Sequence, residues 1–251
     1  RTMSYVRDDV VLKVNSLSRK QYFNDISFEL KKGEILGFFG LVGAGRTEVM
    51  RTIFGADKKS SGEIMVNGRN VAIRNTRDAL KLRLGLVPEE RKTQGFIKFI
   101  SNADNAAISC LQKYLTHGFV DSKKKYAGYR QVAEKIKINP RDPDFLTQNM
   151  SGGNQQKVIL ARWLSADIDI LIFDEPTKGI DVAAKMEIYK LMEDMVMEGK
   201  SIIVVSSELP EIIGISDRII VFYEGEKMAE LEKSQFTEQT ILNHAMGEQS
   251  K

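Results

Sequence analysis

A chain of 251 residues, 42% hydrophobic and 28% charged, is long enough for a large core and has the composition of an ordinary globular protein. Its formal charge of +3, with the signs interspersed, excludes the wide basic face of a dedicated nucleic-acid binder, and no apolar run approaches the ~20 residues that span a bilayer. One cysteine, Cys110, excludes an internal disulfide, and with no secretory signal at the start a cytoplasmic setting is expected.

Val10 to Val14 and Phe23 to Leu30, the latter alternating around Ile26 and Phe28, predict antiparallel strands, and Lys32-Gly33 turns the chain into the next one. Ile35-Leu36-Gly37-Phe38-Phe39 is a short apolar run fit for a buried strand. It leads into Gly40-Leu41-Val42-Gly43-Ala44-Gly45-Arg46-Thr47, which follows the phosphate-loop pattern G-x-x-x-x-G-K-[ST] except that Arg46 stands in place of lysine. In such a loop the glycines let backbone N–H groups turn inward around phosphates, the lysine reaches the outer phosphates and the hydroxyl binds Mg²⁺. Glu48 to Phe54 can open a helix whose N-terminus faces the anion.

Asn67-Gly68, between strand-like runs within Gly62 to Val71, signals a hairpin. Asn75 to Leu82 looks helical, and Leu84 to Val87 is a short strand ending at Pro88. A mostly helical insertion, about 95–157, follows, with helical patterns at Asn105 to Tyr114 and Tyr126 to Ile136 and no convincing strand. Lys123-Lys124-Lys125 reads as a solvated turn, and the two histidines, His117 and His244, as surface residues.

Strand character returns at Ile168 to Phe173, Ser201 to Val205 and Arg218 to Tyr223, the last followed by Glu224-Gly225-Glu226 and a further strand. Helical patterns at Gln155 to Leu164, Ala183 to Met197 and Leu209 to Ile213 alternate with them, and Thr237 to Met246 closes the chain as a helix. That alternation predicts an α/β fold with a mainly parallel sheet and crossover helices around the phosphate loop. The antiparallel strands form a small β addition to it.

Asp169 to Glu175 is an apolar strand ending in two carboxylates, which places them at the carboxyl edge where open α/β sheets bind ligands. In that position Asp174 is expected to hold Mg²⁺ with Thr47, and Glu175 to orient and deprotonate the water for in-line phosphoryl transfer. The alternative for the acidic pair alone is a cap on the turn at Pro176. Upstream, Ser151-Gly152-Gly153-Asn154-Gln155 precedes an apolar-periodic helix; Ser151 is a natural N-cap and the two glycines expose first-turn N–H groups to an anion.

Ser151 lies 23 residues before Asp174, and the segment closely resembles the signature sequence of ATP-binding cassette (ABC) proteins. The resemblance covers nearly the whole chain as one nucleotide-binding domain, 1–251, with a core of about 1–94 and 158–251. It implies ATP and Mg²⁺ as ligands and a head-to-tail dimer in which each signature closes over ATP held by the opposing cassette. Gly179-Ile180-Asp181 matches the segment whose aspartate crosses that interface.

Three positions depart from the family pattern. Arg46 keeps the loop's positive charge but is larger and planar, so it need not reproduce a compact ammonium between the outer phosphates. Glu89 occupies the place of a glutamine that senses Mg²⁺ and the membrane partner, and Ser207 that of a switch histidine at the γ-phosphate. The family also sets an aromatic under adenine. Tyr22 and Phe23 are nearby, with a spacing that departs and a core role as the alternative.

The phrases GLVGAGRTE, VPEERK, SGGNQQKVILARWL, DEPTKGIDV and SSELPE resemble the second cassette of monosaccharide importers of the ribose, galactose and xylose type. This likeness implies a first cassette fused upstream with an intact loop and a degraded signature, so that Arg1 marks a cut between halves. It further implies a transmembrane permease docked around Glu89 to Phe99, a sugar-binding protein acting through that permease, and a peripheral place at the cytoplasmic face of the membrane. Ser151 would then complete the partner's site while Arg46, Glu89 and Ser207 sit in a degenerate one. Two other readings are a non-catalytic interaction module and a soluble ABC ATPase of translation or DNA repair; the latter would normally keep lysine, glutamine and histidine.

Overall fold

Leu12, Val14 and Leu17 are buried along the first strand, β1 (Val10–Arg19), which pairs antiparallel with β2 (Phe23–Lys31), where Ile26, Phe28 and Leu30 point inward. The computed structural model describes residues 4–248. The chain then runs through β3 (Ile35–Gly40), α1 (Arg46–Ile53), β4 (Ser61–Val66), β5 (Arg69–Val71), α2 (Thr76–Lys81) and β6 (Leu84–Val87). Asn67 and Gly68 both take positive φ, 48° and 75°, in the β4–β5 turn, the backbone that matches strand twist in a two-residue hairpin. Asn75 caps α2 through its side chain, as a short polar residue does before a helix.

Next come α3 (Asn102–Ala107), a two-residue hairpin of β7 (Leu115–Thr116) and β8 (Phe119–Val120), α4 (Ser122–Lys135) and α5 (Gly152–Ser165). They are followed by β9 (Ile170–Asp174), α6 (Val182–Met197), β10 (Ser201–Ser206), α7 (Leu209–Ile215), β11 (Arg218–Tyr223), β12 (Glu226–Glu232) and α8 (Glu238–Ala245). Two compact units result. One gathers the chain up to Leu86, Asp169–Glu175 and the chain from Met192 onward; the other comprises Val87–Ile168 and Pro176–Leu191. In the second unit α5 packs along α3 and α4.

The first unit holds a four-stranded sheet, β2-β1-β4-β5, and a six-stranded one, β12-β11-β3-β10-β9-β6. Strands β3, β9, β10 and β11 run parallel and β12 returns antiparallel. Every residue of β3, β9 and β10 is buried, which is why these segments read as continuous apolar runs instead of alternating ones. Phe38 lies edge-on to Phe28, 5.0 Å between ring centroids, and 5.5 Å from Phe222. In register, Phe39 faces Ser206 and Val205 faces Asp174, so the phosphate loop, the acidic pair and the end of β10 arrive at one edge.

In the second unit Asn105, fully buried, ties the loop before α3 to its neighbours. Its side chain accepts the Ile97 N–H (2.8 Å) and donates to the Ile97 carbonyl (3.0 Å) and Thr147 Oγ1 (3.0 Å). Arg162 of α5 donates from Nε to the Asn105 carbonyl (2.9 Å), and burial pulls its pKa down to about 10. Asn105→Leu strands several of these buried groups, so the variant should lose about 3 kcal/mol of stability, read from urea unfolding at unchanged m-value.

Four sequence expectations are corrected. The insertion contains a strand pair, β7–β8, turning at His117-Gly118 (φ 51° and 86°), a hairpin too short to show as alternation. The helical pattern from Asn105 to Tyr114 is an α-helix ending at Ala107 and a 3₁₀ segment broken at Cys110 (φ −138°). Lys123 to Lys125 form the first turn of α4 under an Asp121 cap, and Lys125 is buried against Asp104 rather than solvated. His117 is exposed, but His244 is buried, because α8 lays Ile241, His244 and Ala245, spaced three and four apart, on its inner face.

Candidate functional site

Backbone, not side chains, shapes the loop between β3 and α1. A Cβ at Gly40 would stand 2.7 Å from the Phe222 carbonyl oxygen, and Gly45 takes φ 93° with Tyr22 O 3.0 Å from where a Cβ would sit. Only glycine fits either position, and the result is a turn that opens the N-terminus of α1. Gly43 (φ 86°) has open space beside it, and Leu41 and Val42 at the tip are exposed, Val42 at 91%. Ala44 is buried under the loop.

Arg46, 7% exposed, is the first residue of α1, and its guanidinium is committed to its own chain. Nη1 donates to the Ser206 carbonyl at 2.6 Å, Nη2 to the Leu41 carbonyl at 3.4 Å, and Nη2 lies 3.8 Å from Glu175 Oε1. Thr47 Oγ1 donates to Asp174 Oδ1 at 3.0 Å. The carboxylate pair sits where β9 ends: Asp174 is 2% exposed, and Glu175 adopts φ 45° while its N–H donates to the Val205 carbonyl (2.9 Å). A left-handed glutamate at a strand end is the kind of backbone found at functional sites.

The sequence reading singled out Ser207, which lies exposed in the bend after β10. The adjacent Ser206 meets the loop arginine through its carbonyl, while its hydroxyl donates to Glu211 and accepts the Glu208 N–H (3.0 Å). Phe23 is core, whereas Tyr22 is about half exposed, with the Arg19 guanidinium 4.0 Å over its ring. Tyr22 and Arg19 line a 450 Å³ cavity with Ser60, Glu224 and Gly225.

Within the second unit, Ser151 precedes α5 as its N-cap, yet its side chain makes no capping bond; Oγ instead accepts from Asn154 Nδ2 (3.1 Å). Asn154 Oδ1 in turn accepts the Asn139 N–H (2.8 Å), and Gln155, buried, donates to the Gln148 and Met150 carbonyls. These two side chains hold the turn that presents Ser151 and Gly152. Gly153 is required by close packing, since a Cβ there would be 2.7 Å from Ala184 Cβ.

Two partners in this region were not legible in the sequence. Glu89 Oε1 accepts from Lys178 Nζ at 2.7 Å. Arg91 opens a π-helical turn, Arg91–Gly95, and its Nη2 lies 3.1 Å from where a Cβ on Gly152 would be. Burial alone pulls the Arg91 pKa below the ordinary arginine value. Asp181 is exposed, and its Oδ1 accepts the Ala184 N–H (3.0 Å), capping α6. Arg46, Thr47, Asp174 and Glu175 thus assemble in the first unit, and Glu89, Ser151, Gly152 and Asp181 belong to the second.

The family model for ABC transporters matches residues 23–178. The ribose import ATP-binding protein RbsA of Oceanobacillus iheyensis is 44% identical over 237 residues, 94% of this chain and 48% of that protein. Its namesake in Lactococcus lactis is 43% identical over 241 residues, 96% and 49% of the two chains. The chain therefore spans about half the length of these relatives. Among solved structures, cbiO1 of Clostridium perfringens, part of the ABC transporter complex cbiONQ, superposes with a TM-score of 0.77 at 23% identity, covering 94% of this chain and 93% of that one. A dimeric bacterial ABC transporter cassette reaches 0.75 at 20% identity over 90% of this chain and all of that one.

Proposed function

Because the chain belongs to the ABC transporter family, we propose that it couples ATP hydrolysis to the import of a monosaccharide, lending its Ser151–Gln155 signature to ATP held by a partner cassette while turning over little at its own loop. The observation that carries this reading is Arg46. Its guanidinium spends its donors on the Ser206 and Leu41 carbonyls and lies beside the Glu175 carboxylate, so the loop's cation pairs with that carboxylate instead of reaching outward to phosphates. Ser151, by contrast, is exposed and free of any capping bond, which leaves first-turn N–H groups of α5 available to an anion.

Thr47 and Asp174 suit Mg²⁺: a hydroxyl and a carboxylate oxygen 3.0 Å apart are hard donors of the type that holds this ion with substrate phosphates and water. Bound there, Mg²⁺ would neutralise phosphate charge. Asp174 and Thr47 orient each other, and Glu175 is the carboxylate positioned to accept a proton from an attacking water, a role that Arg46 opposes by pairing with it. The relatives' names support monosaccharide import as the coupled process. A cassette fused upstream, a membrane permease and a sugar-binding protein complete the proposed assembly, at the cytoplasmic face of the membrane. Exposed Ile97 and Phe99, the latter at 81%, offer the permease apolar surface in the segment after Glu89.

The test is turnover by this chain alone with Mg²⁺ and ATP. Hydrolysis near background, with any nucleotide binding measured by calorimetry, is the expected result. Rapid Mg²⁺-dependent turnover that Arg46→Ala abolishes would overturn the division of labour.

A further inference from the structure

We infer that Arg91 is a second phosphate-binding group of the signature, contacting the terminal phosphate of the nucleotide that the partner cassette presents to Ser151 and Gly152. This rests on the proposed role of the signature and adds to it a residue outside the motif.

Arg91 sits against the first residue of α5: a Cβ on Gly152 would lie 3.1 Å from Arg91 Nη2 and 3.4 Å from the Gly179 carbonyl oxygen. Its Nε is sealed from solvent and has no hydrogen-bond partner. Among the described residues no carboxylate pairs with it. Glu89, two positions back, has its carboxylate engaged by Lys178 at 2.7 Å, and burial pushes the Arg91 pKa down.

Two unfavourable terms therefore coincide. A partly desolvated cation without a counter-charge is costly, and the N-terminal end of a 14-residue helix carries positive partial charge that makes it costlier. An anion at this spot relieves both at once. The guanidinium fork and the first N–H groups of α5 then act together on one group. A planar fork matches a terminal phosphoryl group, with its three free oxygens, better than the inner phosphates. Discrimination between ATP and ADP on the partner's loop follows from that preference.

The experiment uses the chain assembled with its partner cassette and permease, and compares Arg91→Gln, Arg91→Lys and Ser151→Arg. Affinities for a non-hydrolysable ATP analogue and for ADP are measured together with KM and kcat for ATP. Arg91→Gln should weaken analogue binding about 10- to 100-fold while leaving ADP binding unchanged, and Arg91→Lys should recover part of the loss. Without nucleotide, the Arg91→Gln chain should melt at the same temperature as the parent or higher, because an unpaired desolvated cation has been removed.

A lower melting temperature with equal losses for ATP analogue and ADP would make Arg91 a structural residue and overturn the inference. So would unchanged analogue affinity in a protein whose hydrolysis Ser151→Arg abolishes. If Ser151→Arg leaves hydrolysis intact, the signature reading itself fails, and the two failures are thereby distinguished.

Discussion

On the proposed role of the signature, Ser151→Arg should lower ATP hydrolysis by the proposed assembly at least about 100-fold and leave the fold of this chain intact. The expectation follows from what Ser151 does and does not touch. It is exposed, it makes no capping bond, and its one side-chain partner is Asn154 Nδ2 at 3.1 Å. Little stability is at stake, roughly 1 kcal/mol or less, because the usual cost of losing an N-cap bond does not arise. A long cationic side chain at the mouth of α5 would instead occupy the space an anion needs in order to reach the first-turn N–H groups. Losing one such preorganised donor costs about 10²–10³ in rate where charge develops on a reacting group. Steady-state hydrolysis alongside thermal melting checks both halves, and unchanged hydrolysis at unchanged melting temperature would sink the proposed role of the signature.

The second large effect falls on stability. Arg46→Ala removes a buried guanidinium that satisfies the Ser206 carbonyl at 2.6 Å and lies 3.8 Å from a Glu175 carboxylate that is itself 10% exposed. Each loss matters because buried groups stripped of a partner bear their desolvation cost. Breaking one side of a buried charged contact costs more than the pair contributes when intact. The variant should lose about 2–3 kcal/mol, which for a chain of this size lowers the melting temperature by roughly 5–10 °C. Turnover of the isolated chain should stay near background. An unchanged melting temperature would mean that the guanidinium does not make these contacts in solution.

Much of this architecture was legible before any coordinates. Loop glycines, a buried apolar strand, the acidic pair at a strand's end and a Ser-Gly-Gly turn before a periodic helix are local statements about backbone conformation, and β3, α1, β9 and α5 lie where the residues say. The hairpin at Asn67-Gly68 and the Asn75 cap were equally plain, since each depends on two or three adjacent residues. Features that depend on distant residues were not. Lys125 looked solvated because its partner, Asp104, lies 21 residues away on another helix. His244 reads as a surface residue because the packing of α8 on β11 is set by tertiary contact, not by neighbouring residues.

The same distinction runs through the candidate site. The departure at position 46 is read from residue identity alone, and the signature from resemblance to a family, because a residue at a motif position needs no neighbours to be read. Where the guanidinium of Arg46 goes is a different matter. It reaches the carbonyl of Ser206, 160 positions later, only because β10 lies in register beside β3. Likewise Arg91 meets Gly152, and Glu89 meets Lys178, across separations no pattern announces. Short-range chemistry determined which groups this protein carries. Long-range packing decided which of those groups are already spent on one another and which, like Arg91, keep a buried donor without a partner.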